Sequence, residues 1–189
     1  MDESLRRSVM LDLVHRLESQ GDRVTMTSLQ KLPYFLQEVM KVPLGLRFVM
    51  HYYGPYSFDL AHSIDAMGAI GTMRVEHDPT GYGYWVHSAD TDDAKEILAE
   101  TEKERADYVG ALEKVASRLG GLETWELELL STCDFVRRLL RGNKRPVDDE
   151  TVTREVRSLK PRFSEQQIGG MLSKLDKIVA HLRSPAPGP

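Results

Sequence analysis

The dipeptide Gly54-Pro55 is the tightest local constraint in the chain. Pro55 fixes its own φ, has no amide to donate, and drives Gly54 out of the α region, so no helix runs through this point. Around it lies His51-Tyr52-Tyr53-Gly54-Pro55-Tyr56-Ser57, which concentrates aromatic rings, an imidazole and a hydroxyl. Ser57 offers a side-chain oxygen to the free amides of a new first turn, which makes it the N-cap of a helix predicted over 58–67. The expected unit is helix, aromatic corner, helix.

Upstream, Leu5, Val9, Met10, Leu13, Val14 and Leu17 follow the three-and-four spacing of a helix with one buried face, predicted over 4–19. A bridge at 24–27 leads to a second helix, capped by Thr27 or Ser28 and carrying Leu29, Leu32, Phe35, Leu36, Val39 and Met40. Pro33 suits a first turn if the cap is nearer Gln30, and otherwise kinks the helix. Residues 46–53 mix β-branched and aromatic types in a short run and read as helix or extended turn, with strand as the alternative. Residues 72–77 and 82–87 read as a β-hairpin joined by Asp78-Pro79-Thr80-Gly81. Three helices and then a hairpin is the order of a winged-helix domain.

The remainder is helical. Carboxylates at 90–93 suit the positive end of a long helix over 94–119, and a second spans 122–140 with Leu127, Leu130, Cys133, Val136 and Leu140 on its apolar face. A basic connector, 141–146, precedes a short helix from Asp148. Ser164 and Gln167 form a capping box for a last helix reaching about Leu182. The expected fold is mainly α: a winged-helix-like unit with a single hairpin over 1–90, packed on a helical bundle over 91–183, with a disordered tail at 184–189.

Composition narrows the function classes. With 189 residues, 41% of them hydrophobic, the chain can bury a core unaided. A net charge of -4, with both signs interspersed, disfavours a generally basic nucleic-acid binder. No apolar run approaches the roughly 20 residues that cross a bilayer, and Met1-Asp2-Glu3 is acidic where a signal peptide is basic, so a cytoplasmic location is expected. Cys133 is the single cysteine and reads as a small core residue.

Two segments, Lys31-Leu32-Pro33-Tyr34-Phe35-Leu36-Gln37 and His51-Tyr52-Tyr53-Gly54-Pro55-Tyr56-Ser57, give the chain a resemblance to the bacterial YwgA-like family. Leu129-Leu130-Ser131-Thr132-Cys133-Asp134-Phe135-Val136 and Leu159-Lys160-Pro161-Arg162-Phe163-Ser164 extend it. More distantly, the chain is similar to the Panacea (SocA-like) domain. That resemblance implies a neutralising module that binds a toxin protein, although Pro33 departs from the unbroken helix of the Panacea pattern.

The residues themselves offer three readings. A protein-binding module would use His51, Tyr53, Tyr56, Ser57 and Trp85, with aromatic faces supplying the contact. A winged-helix nucleic-acid-binding regulator would use Arg137, Arg138, Arg141, Lys144 and Arg145, whose concentrated charge suits a phosphate backbone. An enzyme would be centred on His51 and Tyr53. No phosphate-binding loop, nucleophile elbow or metal-ligand spacing of histidines is present in the sequence, so no catalytic residue, metal or cofactor is assigned. His77 and His87 are the one pair able to face each other, across the hairpin. The preferred expectation is a non-catalytic protein-binding module of a bacterial or phage system, antitoxin-like or part of a defence system. The oligomeric state is left open.

Overall fold

Helix α1 (Glu3–Ser19) begins where the Asp2 carboxylate accepts from the Leu5 amide at 2.8 Å. The computed structural model describes residues 1–78 and 83–184, and among these the fold is mainly helical. Helix α2 (Ser28–Glu38) follows, but neither expected cap caps it. Thr27 is itself helical, and Thr25 and Ser28 instead exchange bonds, with the Thr25 amide donating to Ser28 Oγ (2.8 Å) and the Ser28 amide to Thr25 Oγ1 (3.0 Å). Pro33 therefore lies beyond the first turn, where it has no amide to serve as the i+4 donor to the Leu29 carbonyl.

The aromatic corner differs from expectation. Residues 46–53 do not form a helix: β1 (Val49–His51) pairs antiparallel with β2 (Gly54–Tyr56), a second hairpin beyond the single one predicted. Ser57 caps α3 (Phe58–Ala69) as expected, accepting from the Leu60 amide at 3.3 Å. The predicted hairpin is β3 (Met73–His77) with β4 (Tyr84–Ser88). Its expected turn lies outside the described residues except for Asp78. On its other edge β4 bridges the α1–α2 connection, pairing Trp85 with Thr25 and donating the Val86 amide to Val24 O at 2.9 Å. The winged-helix order thus stands, interrupted by the β1–β2 ladder. His77 and His87 do not oppose each other, because the register pairs His77 with Tyr84 and Arg74 with His87.

The long helix expected over 94–119 is three: α4 (Asp92–Glu100), α5 (Glu102–Ala106) and α6 (Val109–Leu119). Thr101 breaks the first junction, where its hydroxyl bonds back to Ile97 O at 2.8 Å and Arg105 takes Leu98 O at 2.8 Å. Helix α7 (Thr124–Gly142) runs past Leu140, so Arg141 belongs to its last turn rather than to a connector. Helices α8 (Asp149–Leu159) and α9 (Glu165–Arg183) follow, and α9 carries the expected Ser164–Gln167 capping box. The tail lies outside the described residues beyond Ser184. One apolar cluster draws on α1, α2, α3, α6, α7, α8 and α9. Among the described residues, no helix is long and apolar enough to cross a membrane.

Candidate functional site

The β1–β2 hairpin closes through a two-residue loop, Tyr52-Tyr53, with His51 opposite Gly54. Gly54 takes φ +89°, and a Cβ there would lie 3.0 Å from Thr132 Oγ1 and 3.3 Å from Glu128 O, so only glycine lets β2 sit this close to α7. Three long side chains hold the hairpin's backbone. Lys31 Nζ donates to Pro55 O at 2.8 Å. Gln30 accepts from the Ser57 amide at 2.8 Å and donates to Ser57 O at 3.2 Å. Lys160 Nζ, just after α8, donates to His51 O at 3.0 Å and to Tyr52 O. A short hairpin with a proline in one strand thereby has its His51, Tyr52 and Pro55 carbonyls satisfied from outside the ladder.

Behind the hairpin, Glu128 on α7 is buried, with Lys160 Nζ 3.4 Å from Oε1 and the Arg162 guanidinium bonded to Oε2. Lys31 is 1% exposed and makes no ion pair among the described residues, so Glu128 acts on it only through space. Burial pushes the Lys31 ammonium down to about 7; Glu128 opposes that shift and Lys160 adds to it. Burial also lowers Lys160, against the pull of Glu128. One buried carboxylate thus faces three cationic side chains.

In front of the hairpin lies a groove of about 270 Å³ between β1–β2, α2, the start of α3 and β4. His51, Tyr53, Tyr56, Phe58 and Tyr84 line it, and Lys31 and Gln30 lie at its base. The rings support one another: His51 lies 5.1 Å from Tyr56, and Tyr56 lies 5.0 Å from Phe58, edge to face. Phe58 is nonetheless 54% exposed, Tyr53 52%, Tyr84 51% and neighbouring Tyr52 76%, a density of exposed rings that the core does not explain. Outside the groove, Arg162 stacks over Tyr53 at 5.8 Å.

The structure brings His51, Tyr53 and Tyr56 together and separates the other two residues expected with them. Ser57 is fully buried as a cap, its polar atoms taken by Gln30 and Leu60. Trp85 alternates to the opposite face of β4 from Tyr84, under Arg23 (5.4 Å), in a depression with Asp22 and Gly121. Tyr84, an apolar position near the hairpin edge, lines the groove, and so do Lys31 and Phe58, which were not picked out by the sequence reading. Lys31 offered a signal, a lysine inside a helix whose neighbours Leu29, Leu32, Tyr34, Phe35 and Leu36 are all apolar and buried.

The basic residues expected at a nucleic-acid face are dispersed among carboxylates. Arg137 pairs with Asp149 (3.0 Å) and Asp176, Arg138 with Asp134 (2.5 Å) and Glu38 (3.4 Å), and Arg145 with Glu155 (2.6 Å). Arg141 and Lys144 are exposed. Cys133 is buried, and burial pushes its thiol up to about 12, far from a nucleophile's range. Among the described residues, no cluster of three or more His, Cys, Asp or Glu is placed to hold a metal ion. Compared with known proteins, the chain matches no family model and no curated relative.

Proposed function

We propose that this protein is a non-catalytic protein-binding module of a bacterial or phage system, and that its partner docks on the aromatic groove beside the β1–β2 hairpin. The observation that carries this reading is the group of half-exposed rings, Tyr53, Phe58 and Tyr84, around a concavity whose backbone is fixed by Lys31, Gln30 and Lys160. Rigid aromatic groups with a polar tip, held before binding, lose little entropy on association and are typical anchors of protein interfaces. At about 270 Å³ the groove falls below the roughly 300–1,000 Å³ of sites that enclose small-molecule ligands, and it suits one or two inserted side chains.

The four segments that carry the resemblance to the YwgA-like family, the first two of which also carry the more distant one to the Panacea domain, meet at this hairpin through Lys31, Gly54, Thr132, Lys160 and Arg162. An antitoxin-like or defence-system role is consistent with that resemblance. An enzyme at His51 is less well supported, because no carboxylate lines the groove among the described residues to orient the imidazole. A tagged pull-down from the source organism, with and without nuclease, tests the proposal. One stoichiometric protein surviving nuclease is the expected result, and recovery of nuclease-sensitive material alone would overturn it.

A further inference from the structure

The occupant of the groove is constrained by charge as well as by shape. Its walls are mostly apolar or aromatic, with Thr27 and Gln30 as neutral polar groups, and among the described residues that line it Lys31 is the one formal cation and no carboxylate is present. Lys31 Nζ has three donor positions and spends one on Pro55 O. Behind it, Glu128 is already engaged by Lys160 and Arg162. An anion reaching Lys31 would therefore meet a buried ammonium that shares Glu128, through space, with Lys160 and Arg162, a setting in which a charge-assisted bond is strong.

Resting on the docking reading above, we propose that the groove recognises an acidic side chain of a protein partner, its carboxylate bonded to Lys31 Nζ and its apolar neighbours packed on Tyr53, Phe58 and Tyr84. The charged groups around Lys31 are Glu128 on α7, Lys160 and Arg162 after α8, and His51 on β1. Because the Lys31 ammonium lies near neutrality in the free protein, docking an anion draws a proton onto it. Binding then weakens by up to about tenfold per pH unit above about pH 7.

A random-peptide phage library selected on the intact protein supplies the probe, and each enriched peptide is compared with its Glu→Gln or Asp→Asn counterpart. The expected peptides carry an acidic residue beside apolar ones, and they bind roughly tenfold or more tightly than their amide counterparts near pH 6.5. They weaken toward pH 8.5, and they lose the acid preference on Lys31→Met or Lys31→Gln but keep it on His51→Gln. Circular dichroism confirms that each variant is folded, and the comparison of acid with amide peptides on the wild type needs no variant. Peptides that need Phe58 but carry no acid, or an acid preference that survives in the Lys31 variants, would overturn this inference and leave the docking reading standing. A selection that enriches nothing dependent on Phe58 would overturn both.

Discussion

At the scale of single residues, Lys31 and Glu128 link the hairpin to the stability of the protein. Folding carries Lys31 from the ordinary lysine value of 10.5 to about 7. Between those values the unfolded chain binds a proton that the folded chain does not, so stability rises with pH from about 7, by at most about 1.4 kcal/mol per pH unit. Lys160, lowered by the same cause, adds in the same direction. The window closes near pH 9, where the Cys133 thiol ionises in the unfolded chain while the folded one, pushed up to about 12, stays neutral and gives the opposite sign. Urea denaturation between about pH 7 and 8.5 should show this rise in the wild type and a flatter profile in Lys31→Met. Glu128→Gln leaves Lys160 and Arg162 beside a neutral group, and by the same measurement should lower stability by roughly 3 kcal/mol.

At the scale of elements, the hairpin's position depends on Gly54. Gly54→Ala forces a side chain into the left-handed region and against Thr132, and should lower the urea midpoint by an amount equal to about 1–3 kcal/mol of stability. Local signals were legible wherever chemistry and geometry reside in neighbouring residues: the Ser57 cap, the Ser164–Gln167 box and the β3–β4 pairing were all readable from sequence. The β1–β2 ladder was not, because its carbonyls are held by Lys31 and Lys160, 24 and 109 residues from their acceptors at Pro55 and His51. Apolar periodicity likewise hid the break at Thr101, a residue whose hydroxyl competes for a helix carbonyl without disturbing the pattern of buried positions. In the candidate site, His51, Tyr53 and Tyr56 were readable as an aromatic run. Tyr84 was separated from Trp85 only by the strand's twofold alternation and the register that orients it.

At the scale of the whole molecule, α7 serves as a common support. It backs the hairpin through Glu128 and Thr132, contributes Cys133 and Val136 to the core, and pairs its basic residues with carboxylates on α2, α8 and α9. Those pairs leave little concentrated charge for a phosphate backbone, so affinity for a generic DNA duplex should stay in the weak, non-specific range and change little on Arg137→Ala, as fluorescence anisotropy would show. The central claim is that the partner docks on the aromatic groove. The most direct test is to bind the captured partner to isotopically labelled protein and record which side-chain resonances shift. The account predicts the largest shifts at Tyr53, Phe58 and Tyr84, with Trp85, Arg141 and Lys144 nearly unmoved. Shifts concentrated at Trp85 or at Arg141 and Lys144, with the groove unchanged, would contradict it.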